Sequence, residues 1–405
     1  MTEPAPIADK TFMPLKIGLF SDTYYPQING VATSVLMLKK YLSEMGHSVY
    51  VFTTTDPLAP VEEEGVFRLP SLPFVSARRM ALFFHPPTAR LARQLELDII
   101  HTHTEFSLGV FGRKLAKEMG TPQLHTMHTI YEQYTHYLFK FHLFDPLSRR
   151  AARRLSSEFC NGANQVIAPT EKVRDLLIDY GVKEKINVVP SGIELEKFRP
   201  GLSQDERASM RHALGIKPED CVLLYVGRLA EEKNLGEVIE GLTAFLLHTP
   251  NVKFLVVGDG PDTGVLTEMV NAACLQGRVI FAGARPWNEI QFYYQLGDLF
   301  INASQSESQG LTYLEALAAH LPLLVKEDRC LDKILENGKN GYGFRDQQGM
   351  MEGLSSLLAD NGRRLREMAA AAAKTAEKYS ARQYAIAVSE IYTAILAAEA
   401  LEHVS

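Results

Sequence analysis

Residues 298–325 read DLFINASQSESQGLTYLEALAAHLPLLV. The apolar run Leu299, Phe300, Ile301 has the character of a strand buried inside a parallel sheet. Residues 302–309 are small or polar apart from the acidic Glu307. Gly310 opens a helix with Leu311, Leu314, Leu317 and Ala318 on one face. Pro322 ends that helix, and Leu323, Leu324 and Val325 start the next strand. Strand, polar loop, helix and strand in this order form a unit of a parallel α/β sheet.

Glu307 in the loop and Glu315 in the helix have seven residues between them. The junction Ser308, Gln309, Gly310, Leu311 presents backbone N–H groups at the positive end of a helix dipole, which suits a phosphate. A carboxylate just before the junction can reach a sugar carried by that phosphate. A carboxylate two turns in can reach hydroxyls on the other side. Spacing alone favours the plainer reading, in which Glu307 caps the helix and Glu315 is a solvated helix residue.

A second stretch, residues 222–235, reads VLLYVGRLAEEKNL. A buried strand runs into Gly227 and Arg228, then a charged loop leads to Lys233 and Asn234. Arg228 and Lys233 project from the carboxyl end of that strand, where parallel α/β sheets bind ligands. Two cations there suit a diphosphate, although Glu231 and Glu232 between them also fit an exposed charged loop.

Together these stretches resemble the retaining glycosyltransferases of the GT-B fold, which use nucleotide-diphosphate sugars. The resemblance implies two Rossmann-like, doubly wound domains facing a cleft. It places Arg228 and Lys233 on the diphosphate, with the Ser308–Leu311 junction. It places Glu307 on the donor sugar and Glu315 on the ribose hydroxyls.

Composition agrees with such a fold. At 405 residues the chain exceeds one ordinary core and suggests two domains. A net charge of −6 argues against a general nucleic-acid binder. Cys160, Cys221, Cys274 and Cys330 are too far apart in sequence for a metal knuckle or a disulfide framework, so a reducing cytosol is expected. The first thirteen residues lack a signal peptide's apolar block, and no apolar run is expected to approach a membrane span of about 20 residues.

The chain opens with a strand at 16–20 and a helix bearing Val31, Val35, Leu38 and Leu42 on one face, then a strand at 49–52. Asn29 and Gly30 at the helix start form a close-approach site, and the GxGxxG fingerprint of dehydrogenases is absent. The resemblance places Gly30 against the donor diphosphate across the cleft. His101 and His103 are two apart on a strand and share a face, yet no third metal ligand occurs at suitable spacing. His128 lies just past the strand at 123–126, in either a structural or a cleft position. The resemblance turns it towards the reacting sugar. Residues 126–144, rich in aromatics and histidine, read as a helix–helix contact or as the wall of an acceptor cleft. Helices are expected over 288–296, 330–337 and, unbroken, 368–401.

The expected division is a tail at 1–14, an acceptor and membrane-binding domain at 15–199, a nucleotide-sugar domain at 200–380, and a last helix at 381–405 packed back on the first domain. SDTYYPQINGV at 21–31, HTHTEFSLG at 101–109 and ESQGLTYLEAL at 307–317 narrow the resemblance to the bacterial 1,2-diacylglycerol 3-alpha-glucosyltransferases. It implies glucose transfer from UDP-glucose to diacylglycerol, with an inositol lipid or a soluble molecule as alternative acceptor. No resident cofactor and no metal site are expected. A glycoside hydrolase using Glu307 and Glu315 as its carboxylate pair is a further alternative, which leaves Arg228 and Lys233 without purpose. A non-catalytic sugar-nucleotide sensor is another. One departure is His320, where the family often has glycine.

Residues 72–95 carry Arg78, Arg79, Arg90 and Arg93 beside Leu82, Phe83 and Phe84, and no acid interrupts them. Arg149, Arg150, Arg153 and Arg154 form a second basic cluster. Such stretches favour an anionic bilayer surface, or are ordinary solvated basic helices. The expected location is the cytoplasmic face of the cell membrane.

Overall fold

The computed structural model describes residues 13–73, 79–81, 85–134 and 145–402. Two parallel sheets organise the chain. The first runs in the order Val66–Leu69, Ser48–Thr54, Lys16–Phe20, Ile99–Thr102, Gln123–Thr126, Gln165–Ala168, Ile186–Val188. The second runs Val279–Gly283, Val252–Val257, Cys221–Val226, Leu299–Asn302, Leu323–Lys326, Gly341–Phe344. All pairings within both sheets are parallel. Each sheet begins in its middle, grows to one edge and then reverses. The reversal leaves a crevice between Lys16–Phe20 and Ile99–Thr102 in the first sheet, and between Cys221–Val226 and Leu299–Asn302 in the second. Ligands of doubly wound sheets bind at the carboxyl ends of such strand pairs.

Central strands such as Leu299–Asn302 are buried along their whole length because helices cover both faces. Polar side chains set the helix starts. Asn29 Oδ1 accepts from Ala32 N at 2.9 Å, and Thr170 Oγ1 accepts from Val173 N at 3.3 Å.

Three elements differ from the sequence expectation. The segment expected as a helix over 330–337 is only a 3-10 turn, Arg329–Leu331, continued by turns. There Asp328 Oδ1 accepts from Cys330 N at 2.8 Å, Asn340 Oδ1 from Glu336 N at 2.8 Å, and Asn340 Nδ2 donates to Ile334 O at 2.8 Å. Side-chain bonds of this kind compete with helical ones. The helix expected over 288–296 is limited to Ile290–Tyr294. The long terminal helix is broken: Arg363–Ala376, a 3-10 turn at Glu377–Tyr379, an extended Ser380, then Ala381–Glu402. At the break Ile193 N donates to Tyr379 O at 3.0 Å and Ala381 N to Ile193 O at 2.8 Å. The two segments that connect the halves therefore lie side by side. A side chain at Gly192 would put its Cβ 2.4 Å from Ser380 O, so only glycine admits this approach. Edge strands Val66–Leu69 and Gly341–Phe344, and the hairpin Ser71–Pro73 with Arg79–Ala81, carry no long apolar run and escaped the sequence reading.

The last helix crosses back as expected. Tyr384, Ala385, Val388, Tyr392 and Ile395 join the core of the first sheet with Ile17, Leu19, Val35 and Leu38. Ser34 Oγ donates to Tyr384 OH at 3.0 Å, and Tyr392 OH lies 2.7 Å from His101 Nδ1. Contrary to expectation, Ala381–Leu401 is long and apolar enough to cross a membrane by length and composition alone. Its buried face makes this contact with the first core. His320 closes the 311–318 helix at φ 64°. That left-handed conformation costs a non-glycine residue about 1–2 kcal/mol, so glycine is the unstrained choice there.

Candidate active site

Both crevices open on one cleft. On the second sheet, Cys221–Val226 ends at Gly227, and a 3-10 turn, Glu231–Lys233, carries Lys233 back over the sheet edge. Lys233 Nζ donates to Glu307 Oε1 at 2.6 Å, and both side chains are mostly buried. Glu307 therefore does not cap the helix. Burial alone would raise its carboxyl, but Lys233, Ser304 and Lys172 outweigh that and hold it below the usual carboxylate range. The N-cap of Leu311–Ala318 is Gly310, at φ 76°, and no side chain caps this helix. A Cβ at Gly310 would lie 2.4 Å from the Tyr313 ring, so the turn needs glycine.

Glu315 points to a different set of partners. Tyr294 OH donates to its Oε2 at 2.6 Å. Burial raises this carboxyl, and Tyr294 and Lys197 oppose the rise. Lys197 itself donates to Trp287 O at 2.7 Å, and its ammonium lies against the Trp287 ring. Burial pushes Lys197 down to about 8. The two glutamates thus have separate partners on separate elements.

From the first sheet, the Gly30–Glu44 helix brings its exposed first residue to the cleft. A Cβ on Gly30 would be 3.7 Å from Leu311 Cδ1, so the two helix starts meet across the gap. His128 comes just after the strand Gln123–Thr126. Its Nε2 lies 3.0 Å from His103 Nδ1, and its carbonyl accepts from Ser308 Oγ at 2.5 Å. His101 is satisfied on both nitrogens, by Tyr392 and Thr126 at 2.7 Å each. Among the described residues no group of three His, Cys, Asp or Glu side chains converges as a metal site. A cavity of about 600 Å³ opens beside these groups, between Ile130 and Leu176 on one wall and Asn234 and Ser306 on the other.

Sequence reasoning missed the seam that joins the halves. Gln309 spends its side chain on Ser191, accepting from Ser191 N at 2.9 Å and donating to Ser191 O at 2.8 Å. Thr170 Oγ1 donates to Ser308 O at 2.8 Å. The side chains of Ser308 and Gln309 therefore serve the seam, leaving their backbone as the part that can meet a ligand. Lys172, Lys197 and Tyr294 carried no motif.

Of the residues read as membrane-binding, Arg78, Phe83 and Phe84 lie outside the described residues, as does 135–144 of the aromatic stretch. Arg79 donates to Ser71 Oγ at 2.9 Å and Ser71 O at 2.7 Å, inside the hairpin. Arg90 and Arg93 are exposed on the Pro86–Gln94 helix, where Arg93 pairs with Glu118 at 2.6 Å. In the second cluster, Arg153 pairs with Glu132 at 2.6 Å and Arg154 with Glu158 at 2.7 Å.

Burial, and secondarily the charge of His125, pushes His128 down to about 3. His128 is thus neutral throughout the physiological range. The pH profile of kcat/KM, which reports the free enzyme, is expected to show no limb from this imidazole between pH 5 and 8. A limb near 6.5 that disappears in His128→Gln would contradict the assignment of a neutral ring.

Two doubly wound domains with facing switch points, a cation–carboxylate pair at one and a histidine at the other, define a two-domain nucleotide-sugar glycosyltransferase. Residues 28–197 match the Glycosyltransferase Family 4 domain, and residues 206–378 match Glycosyl transferases group 1. The chain is 41% identical over 352 residues to an alpha-monoglucosyldiacylglycerol synthase of Streptococcus pneumoniae, covering 85% of this chain and 79% of that one. It is 36% identical to the synthase of the same name from Acholeplasma laidlawii, covering 84% and 87%. Among solved structures, the Anabaena HepE protein in complex with UDP superposes with a TM-score of 0.75 at 19% identity, over 94% of this chain and 100% of that one. This chain belongs to the GT-B glycosyltransferase family that includes the alpha-monoglucosyldiacylglycerol synthases.

Proposed function

We propose that the protein transfers glucose from UDP-glucose to the free hydroxyl of 1,2-diacylglycerol at a membrane surface, giving an alpha-monoglucosyldiacylglycerol. The observation that carries the proposal is the Lys233–Glu307 pair, 2.6 Å apart, at the second sheet's switch point. It is supported by the identity to the two synthases.

In this reading Arg228, Lys233 and the uncapped start of the Leu311–Ala318 helix meet the leaving diphosphate. Gly30 allows the phosphates to approach the facing helix start. The donor displaces Lys233 from Glu307, freeing the carboxylate to accept hydroxyls of the glucose. Neutral His128 orients the same sugar, and Glu315 accepts from the ribose. UDP-glucose is α-linked at its anomeric carbon, so an α-linked product requires net retention. The lipid hydroxyl therefore attacks from the face that the diphosphate leaves. Fixed cations stabilise the leaving group, and the reading calls for no resident metal or cofactor. Family membership displaces the hydrolase alternative.

Peripheral attachment to the cytoplasmic face is part of the proposal, and the exposed arginines of the Pro86–Gln94 helix motivate it. Each cation near an anionic surface contributes about 1 kcal/mol. Replacing Arg78, Arg90 and Arg93 with glutamine is therefore expected to weaken binding to phosphatidylglycerol vesicles by about 10²-fold at low salt. Arg79 is left in place because it braces Ser71. The difference should shrink as salt rises, since attraction falls off within about 8 Å at physiological ionic strength. UDP affinity should stay unchanged. Undiminished sedimentation of the triple variant with vesicles would remove this surface from the proposal.

A further inference from the structure

We infer that Lys172 is a positioning residue that makes the placement of Glu307 conditional on closure of the two halves. The inference rests on the proposed donor site and names a group which that reading does not contain. Lys172 occupies the first turn of the Glu171–Asp179 helix in the first half. A cation there faces the positive end of the helix dipole and is disfavoured by it, so its place demands compensation from elsewhere.

The compensation comes from across the cleft. Lys172 Nζ donates to Gln305 O at 3.2 Å, to Glu307 O at 3.0 Å, and to the Asp328 carboxylate at 2.8 and 2.6 Å. An ammonium has three protons, so these acceptors occupy it fully. The Lys172 side chain is 16% exposed and that of Asp328 5%, so the pair is largely withdrawn from water. Asp328 is itself held, accepting from Cys330 N at 2.8 Å.

Thr170, the cap of the same helix, donates to Ser308 O at 2.8 Å. The carbonyls of residues 305, 307 and 308 therefore all accept from one helix start in the other half. Separation of the halves would release all of them together and free the backbone that aims Glu307. Two neighbouring pairs also cross the seam, Arg329–Asp175 and Lys333–Glu171, but the cations are more than half exposed and such pairs contribute little. Of these three charged pairs, Lys172–Asp328 is the buried one. Its charge also helps to keep Glu307 ionised, after that of Lys233.

The test uses the full chain with UDP-glucose and diacylglycerol in phosphatidylglycerol vesicles. Lys172→Met is expected to lower kcat by about 100-fold, the penalty for misplacing a reacting group by an ångström, with KM for the donor and affinity for UDP within about threefold of the parent. Lys172→Arg keeps the charge and should recover part of the loss. Melting curves identify any variant that fails to fold, in which case Lys172→Arg carries the test. Turnover of Lys172→Met within about threefold of the parent, loss of UDP affinity equal to the loss of turnover, or no recovery of turnover in Lys172→Arg would each overturn the inference. Glu307→Gln is run alongside. An active Glu307→Gln overturns the donor-site reading itself, whereas an inactive one beside an active Lys172→Met overturns only the role of Lys172.

Discussion

Glu307→Gln is expected to lower kcat by about 10²–10³-fold while UDP binds as tightly as before, or somewhat more tightly. The Glu307 carboxylate occupies Lys233 at 2.6 Å. Incoming UDP must compete for that ammonium. Glutamine keeps the size of the side chain and removes the charge, so Lys233 becomes easier to recruit. The sugar, however, loses a charged acceptor in a site largely shielded from water, where such an interaction is strong. Titration of UDP by calorimetry and turnover on diacylglycerol vesicles separate the two effects. Equal losses of affinity and turnover would remove Glu307 from the sugar and place it on the nucleotide.

Lys233→Met is expected to act in the opposite sense. UDP affinity should fall by about 2–3 kcal/mol, on the order of 10²-fold, because a charge-assisted contact to the diphosphate is lost. A carboxylate without its partner also remains beside the phosphates and repels them. Arg228→Ala should weaken UDP in the same direction. The Lys233 variant has a pH signature too. The folded-state carboxyl of Glu307 is held below its ordinary value of 4.5, so the pair contributes stability above that pH and loses it as pH falls through the lowered value. The parent should therefore be more stable than Lys233→Met at neutral pH, and the difference should close on the acid side of 4.5. Unchanged UDP affinity in both the Arg228 and the Lys233 variants would contradict the diphosphate assignment.

The switch points were legible because burial on both faces writes parallel strands as apolar runs. Leu299, Phe300 and Ile301 announce one, and the loop after such a run lies at a ligand-binding edge. Gly310 was legible as a helix start, and the structure adds the reason: positive φ and the Tyr313 ring leave room only for glycine. The crossing of the last helix came from the family resemblance, since Tyr384 and Tyr392 look like any aromatic stripe until their partners in the first sheet are known. Edge strand Gly341–Phe344 was illegible because two of its four residues are glycine. The seam was illegible for a different reason. Lys172, Gln309 and Ser191 act through backbone groups more than a hundred residues away, and neither periodicity nor spacing carries that information. Tyr294 reaches Glu315 across 21 residues and Lys197 reaches Trp287 across 90, and no motif marks either contact.

The central claim is transfer of glucose with retention to diacylglycerol, and the glucolipid product tests it most directly. The purified protein is incubated with UDP-glucose and vesicles of diacylglycerol and phosphatidylglycerol, and the lipid product is isolated. Its anomeric proton coupling, read by NMR, is predicted to be that of an α-glucoside on the glycerol hydroxyl. A β-glucoside, or free glucose in place of a glucolipid, would contradict the account.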